Sequence, residues 1–302
     1  MKGILLAGGA GTRLYPSSAV VGKQLHTVYD KPMVFYPLST LMMAGIREIL
    51  VVSSPADLPR IRDLLGDGSN WGIDLSYAVQ PKPGGIAQVF LIAERFLDGS
   101  ACTLILGDNI FHGRMDLGHV VGEFGRGANV FGYPVDDPSS YGVVELSPSG
   151  EAVCLVEKPK TSRSNLAVTG LYLYDGDVVD HARQLVPSPR GELEITDLNR
   201  RYLQLGQLSV TELGRDIAWF DSGTHESLLE TANFVATVEK RQGLKIACLE
   251  EVAYNMGFID TSGLERAIEA MPRSPYRDYV ERVARAGQRC ASGVRSGCTV
   301  SP

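Results

Sequence analysis

What most constrains this chain is an alternation that runs through residues 2–109. Short runs with buried-strand texture, KGILLA, REILVVSS, IDLSYAVQ and TLILGDN, are separated by helix-like stretches, PLSTLMMAGI, PRIRDLLGDG and GIAQVFLIAERFL. Repeated strand–helix–strand order calls for crossover connections, so the reading is a doubly wound α/β fold with a mostly parallel sheet. From about residue 128 the texture changes. ANVFGYPV, YGVVELS and AVCLVEKP read as strands divided by Asp-Pro and Ser-Gly turns, and are expected to extend the sheet over a second ligand pocket. ELEITDLNRRYLQLG reads as a helix, LSVTELG as a strand, and residues 218–243 as a loop running into a long helix. Ser262 to Glu265 has the pattern of a capping box opening a short helix, and residues 287–302 are too poor in apolar side chains to be expected to pack.

The first strand runs straight into AGGAGTRL. Glycines at 8, 9 and 11 allow φ > 0 and close backbone approach, so successive N–H groups can face an anion, and a helix start beyond the loop would add its dipole. Spacing excludes two phosphate loops. Counting G-x-G-x-x-G from Gly9 puts Leu14 where the third glycine belongs, and no glycine is followed by Lys and a hydroxyl residue at P-loop spacing. A bare turn is the competing reading of such a loop. Arg13, whose planar guanidinium can grip two phosphate oxygens, and Lys23 as a second cation favour a phosphate chain.

Composition narrows the partners. The 302 residues carry a net charge of -6, which offers no basic face for nucleic acid. The five cysteines are scattered without C-x-x-C spacing, as expected for a reducing cytosol and no zinc site. The chain opens on a strand without a basic-then-apolar leader, and no apolar run approaches a membrane span, so the expected location is the cytoplasm.

Two aspartates stand where metal chemistry needs them. Asp108 follows a buried strand at the carboxyl edge where open α/β sheets bind ligands, and Asp221 follows Trp219 and Phe220 ahead of a helix. Either one could be an ordinary helix cap. Facing one cleft, they could share a hard cation such as Mg²⁺, completed by phosphate oxygens and water. Glu157 and Lys158 in EKP read alone as a solvated pair, and in a pocket as a sugar-hydroxyl acceptor and a phosphate-holding cation. Gln80, in QPKPGGIAQ, offers an amide donor and acceptor matching the N3–H and O4 edge of thymine or uracil, with Gly84 and Gly85 letting the base approach the backbone.

Taken in order, GGAGTRLYP, KQL, DKPM, LGDNIFHG, YGVVE, EKP, SNLAVTGLYLYD, SPRGELEITD and WFDSGTHESLLE resemble the bacterial glucose-1-phosphate thymidylyltransferase family over residues 1 to about 260. The resemblance implies an α/β fold of the nucleotidyltransferase type over residues 1–240. Within it, 1–107 would serve the nucleotide and 108–240 the sugar phosphate, with a small helical oligomerisation or regulatory region at 241–286. It implies transfer of a thymidylyl group from dTTP to α-D-glucose 1-phosphate, with Mg²⁺ as cofactor and a homotetramer as assembly. Carried over by position, Gly8, Gly11, Thr12, Arg13 and Lys23 would hold the nucleotide phosphates, and Gln80 and Gly85 would read the base. Asp108 and Asp221 would hold the metal. Asn109, Tyr141, Gly142, Glu157, Lys158, Val168 and Trp219 would line the sugar-phosphate site, with Arg13, Lys23 and Lys158 catalytic. The chain departs from the family's pattern at Gly22, His26, Thr27 and Asn255; Gly22 is expected to loosen the segment presenting Lys23.

Overall fold

The computed structural model describes residues 1–291 apart from Ala10. Its first strand, β1 (Lys2–Ala7), is apolar on both faces because it lies between parallel neighbours: Leu5 pairs with Val51 on one side and Ile105 on the other. After a small hairpin, β2 (Thr27–Val28) and β3 (Lys31–Pro32), come α1 (Phe35–Met43), β4 (Glu48–Ser53), α2 (Leu58–Leu65) and β5 (Asp74–Val79). Then follow α3 (Gln88–Ile92), α4 (Glu94–Leu97), β6 (Cys102–Leu106), β7 (Asn109–His112) and α5 (Leu117–Glu123). The stretch expected to be one helix over 85–97 is therefore two, broken at Ala93.

The second half supplies β8 (Ala128–Pro134), β9 (Gly142–Leu146), β10 (Ala152–Glu157), β11 (Leu166–Tyr174), α6 (Val178–Arg183) and α7 (Ile195–Gln204). Next are β12 (Leu208–Glu212), β13 (Ala218–Asp221), α8 (His225–Gln242), α9 (Leu249–Asn255), α10 (Thr261–Ala270) and α11 (Pro275–Ala291). The main sheet runs β10-β9-β11-β6-β1-β4-β5, with β8 on β11 and β12 on β8. Strands β6, β1, β4 and β5 are mutually parallel, and β11 enters antiparallel beside β6, so the sheet changes character where its second pocket wall begins.

Two apolar layers make this sheet doubly wound. Leu38, Leu41 and Met42 of α1, Ile61 of α2 and Leu249 of α9 pack one face; Phe90 of α3, Val178 of α6 and Leu198 and Tyr202 of α7 pack the other. The last helices form a smaller core of their own around Leu264, Tyr279 and Val280.

Three local expectations are corrected. AWFD is a strand, β13, because it finds β7 as an antiparallel partner, a long-range pairing with no local signature. The helix α10 is capped by Asp260, whose carboxylate accepts from the Gly263 N–H at 2.8 Å, and Ser262 lies inside its first turn. The last helix runs through Ala291, into the stretch expected not to pack, and the rest of that stretch lies outside the described residues.

A buried charge cluster ties the β2–β3 hairpin to the end of α8. Lys31, 3% exposed, meets Glu239 at 2.9 Å, and Glu239 also accepts from Lys245 at 3.1 Å and from the Ile246 N–H at 3.0 Å. Asp30 completes the neutralisation by pairing with both lysines. Removing one member of such a cluster strands a buried charge. Glu239→Ala should therefore lower the unfolding free energy by about 3–5 kcal/mol, read by urea titration. A loss below about 1 kcal/mol would show that water already serves Lys31.

Candidate active site

The carboxyl ends of β1 and β6 open on one cavity of about 460 Å³, and the site residues singled out from the sequence line it, with the exception of Gly84. Its floor is the glycine loop. Gly9 and Gly11 have φ of 112° and 59°, the left-handed region that glycine adopts without strain. Beyond them the chain makes only a single tight turn, Thr12–Leu14, so the expected helix dipole is absent and an anion here depends on backbone N–H groups and on Arg13.

Lys23 is presented by a second tight turn, held at both ends. The Gln24 amide, almost fully buried, donates to the Gly8 carbonyl at 3.1 Å, which pins the lysine segment to the glycine loop. The Gly22 N–H donates to Asp57 at 2.9 Å, and a Cβ on Gly22 would stand 2.4 Å from that carboxylate. Gly22 therefore tightens the segment rather than loosening it: the missing side chain is what lets Asp57 approach.

The two aspartates meet through the ribbon β7–β13. Asp221 is in register with Asn109, the neighbour of Asp108, and the Ser222 N–H donates to the Asp108 carbonyl at 2.9 Å. The helix after β13 is capped by Thr224 through a reciprocal bond with Ser227, which leaves Asp221 free of that duty. Asp108 pairs directly with Lys23. Burial works to raise its carboxyl, but the Lys23 ammonium and the Asn109 amide hold it below its ordinary value. Asp221 goes the other way. Burial, then the Asp108 charge, push it up to about 6 against the attraction of Arg13 and Lys23. Its Oδ1 is buried with no hydrogen-bond partner among the described residues, while Arg13 stands 3.9 Å from Oδ2.

An orphaned carboxylate oxygen beside a second carboxylate fits a hard divalent cation. Among the described residues no group of three or more His, Cys, Asp or Glu side chains could hold a metal, so an ion here would take its other oxygens from substrate and water.

Asn109 is more committed than its expected place in the sugar-phosphate site requires. Its Oδ1 accepts from the Gly170 N–H at 2.8 Å and the Trp219 indole at 2.7 Å, and its Nδ2 donates to Asp108 at 3.1 Å. It fixes Asp108 and Trp219 relative to each other. Trp219 in turn packs against Tyr141, ring centroids 5.2 Å apart. At the far wall Glu157 accepts from Thr196 at 2.5 Å, and Lys158, with φ of 45°, is turned by the end of β10 so that its N–H reaches the Tyr141 carbonyl at 2.9 Å. Gly142 and Val168, on β9 and β11, complete that wall.

At the Gln80 end of the cavity the glycines have internal work. A Cβ on Gly85 would lie 2.3 Å from the Leu193 carbonyl, and one on Gly84 would lie 2.6 Å from the Gln88 amide. Their lack of side chains serves the loop's own packing. Both amide hydrogens of Gln80 are already donated, to Gln88 and to the Gly85 carbonyl, so only its oxygen is left for a base and the expected donor role is not available.

Several lining residues escaped the sequence reading: Arg190, Glu192, Thr196, Asn199 and Gly223. SPRGELEITD carries part of the resemblance, but residue type alone does not mark its members as lining residues; their place on the cavity depends on the folded wall. Arg190 is held by Glu194 at 2.9 Å, and a Cβ on Gly223 would collide with the Arg13 guanidinium at 2.5 Å.

Residues 2–238 match the family model described as nucleotidyl transferase. A glucose-1-phosphate thymidylyltransferase of Xanthomonas campestris pv. campestris is 52% identical over 288 residues, covering 95% of this chain and 98% of that protein. One from Mycobacterium tuberculosis is 50% identical over 282 residues, with 93% and 98% covered. Among solved structures, a Bacillus anthracis chain assigned as a glucose-1-phosphate thymidylyltransferase and crystallised with sucrose superimposes with a TM-score of 0.73 at 40% identity, over 78% of this chain and 94% of that one. UDP-glucose pyrophosphorylase with UDP-glucose gives 0.70 over 80% and 99% of the two chains, at 23% identity, and shares the fold. With the glycine loop, the paired carboxylates and the cationic walls on one cavity, and with this extent of identity, the chain belongs to the nucleotidyl transferase family.

Proposed function

We propose that this cavity transfers the thymidylyl group of dTTP to α-D-glucose 1-phosphate, giving dTDP-glucose and pyrophosphate. The observation that carries the reading is the pairing of two carboxylates with Lys23 and Arg13 at one end of a cavity whose other end holds Glu157, Thr196 and Lys158. It is supported by relatives named for this activity that are half identical over more than nine-tenths of the chain.

Each wall has a task. The N–H groups of Gly8, Gly11 and Thr12, with Arg13 and Lys23, hold the triphosphate. The Glu157 carboxylate, already fixed by Thr196, accepts sugar hydroxyls, and Lys158 holds the sugar phosphate. Asp108 and Asp221 would hold Mg²⁺, which when bound supplies positive charge against the phosphate oxygens. An oxygen of the sugar phosphate attacks the α-phosphorus in line as pyrophosphate leaves opposite, and a phosphate dianion needs no general base. What remains is repulsion between two anions, which Arg13, Lys23 and Lys158 offset where negative charge gathers. We also assign residues 241–286 to contacts within a homotetramer, and the cytoplasm as the location. Among the described residues no helix is long and apolar enough to cross a membrane.

Pyrophosphate release from glucose 1-phosphate, compared across dTTP, UTP, dCTP, ATP and GTP, tests the reading. The expected order places dTTP first; a faster purine nucleotide, or no release by folded protein, would overturn it. Arg13→Ala should lower kcat/KM by about 10²- to 10³-fold with circular dichroism unchanged, because it removes one charge-stabilising contact.

Protonation of Asp221 gives a pH prediction with a definite sign. Its carboxyl, near 6 in the free protein, takes up a proton as pH falls, and only the carboxylate binds metal. Mg²⁺ affinity, measured calorimetrically, should therefore weaken by up to about tenfold per pH unit below about 6. Affinity that is flat from pH 5 to 7 would contradict this. Because the folded pKa lies above the ordinary value, the ionised group costs stability, most fully once pH exceeds about 6. Asp221→Asn should accordingly raise the metal-free Tm at pH 7 while abolishing turnover.

A further inference from the structure

Gln80 follows β5 and is 6% exposed. Its Nε2 donates to Gln88 Oε1 at 2.9 Å and to the Gly85 carbonyl at 3.3 Å. A backbone carbonyl can only accept, so the Gly85 contact settles which end of the Gln80 amide is nitrogen. The other end, Oε1, lies toward Gly8, 2.8 Å from where a Cβ on that glycine would stand, in the wall of the cavity. No donor among the described residues is recorded within bonding distance of it.

The Gly85 bond is long, and the shorter bond to Gln88 is the firmer restraint. Gln88 is itself well placed to act as one. It is the first residue of α3, so its backbone is fixed, and its amide lies flat over Gly84, where a Cβ would stand 2.6 Å from Nε2 and 2.7 Å from Cδ. The missing side chain at Gly84 makes room for Gln88, and Gln88 holds Gln80.

We propose that Gln88 is a positioning residue for base choice: it keeps the Gln80 oxygen turned toward the base, so that the site takes a pyrimidine presenting an N3–H and rejects cytosine. Thymine and uracil donate from N3 to that oxygen. Cytosine presents an unprotonated N3, and an acceptor facing an acceptor loses the hydrogen bond and adds repulsion. With Gln88 gone, Gln80 can turn over and offer its amide hydrogens to cytosine. This inference rests on the thymidylyl-transfer reading above.

The test is kcat and KM for dTTP and dCTP in the wild type, Gln88→Leu, Gln88→Glu and Gly84→Ala. Gln88→Leu removes the acceptor at similar size. Its kcat/KM for dTTP should fall about 3- to 10-fold, carried mainly by KM, while dCTP gains, so that the ratio between them narrows by about tenfold or more. Gln88→Glu keeps an acceptor oxygen and should keep the wild-type ratio. Gly84→Ala displaces Gln88 without changing it and should follow the leucine variant, which preserves the test if Gln88→Leu folds poorly. A purely structural role would slow both nucleotides together; an unchanged dTTP-to-dCTP ratio in Gln88→Leu and Gly84→Ala would overturn the proposal. A wild type that prefers a purine nucleotide would instead overturn the thymidylyl reading itself, and this inference with it.

Discussion

Two carboxylates cannot be brought together inside a protein without something to hold them there, and this site depends on that constraint. Asp108 and Asp221 belong to distant parts of the chain, and the ribbon β7–β13 sets them side by side through the Asn109–Asp221 register. The repulsion that results appears in Asp221, pushed up to about 6 by burial and then by Asp108, with an oxygen left unpartnered. The surrounding fold supplies the rigidity. Asn109 clamps Asp108 to Trp219 and to the Gly170 backbone, and Thr224 takes over the helix cap that would otherwise occupy the second carboxylate. A divalent cation held by Asp108 and Asp221 would offset this repulsion, so the pair would suit metal-assisted transfer better than it suits stability.

The cations are placed by the same economy of close contacts. Arg13 stands near Asp221 because Gly223 has no side chain, and Lys23 reaches Asp108 from a turn tied to Gly8 through Gln24 and to Asp57 through Gly22. Beside Gln80, Gly84 and Gly85 let Gln88 and Leu193 close against the loop. The opposite wall comes from the antiparallel half of the sheet, where Glu157 and Lys158 end β10 and Thr196 opens α7. One sheet with two textures thus lends a glycine-loop floor and an antiparallel wall to the same cavity.

Much of this was legible in the residues. The alternation of strand and helix implies the layered sheet because β1, β4, β5 and β6 follow local period and burial, and the glycines of AGGAGTRL mark a left-handed loop by residue type alone. Long-range pairing was not legible. AWFD looked like loop because its partner, β7, is remote, and the capping of α8 by Thr224 could not be told from capping by Asp221 until the ribbon had been formed. Gly22 read as slack because a sequence shows a missing side chain but not the Asp57 carboxylate that takes its place. Arg190 lies in a recognised stretch, yet its place on the cavity exists only once the fold brings that stretch to the wall.

Whether Asp108 and Asp221 act as one unit is decided by a double-mutant cycle. Turnover at saturating dTTP, glucose 1-phosphate and Mg²⁺ would be measured for Asp108→Asn, Asp221→Asn and the double variant. If the two hold one ion, each single change should cost nearly the full effect and the double variant should lose little more, since groups that act together are strongly non-additive. Losses that multiply independently would mean that the aspartates serve separate purposes, contradicting the shared-ion account.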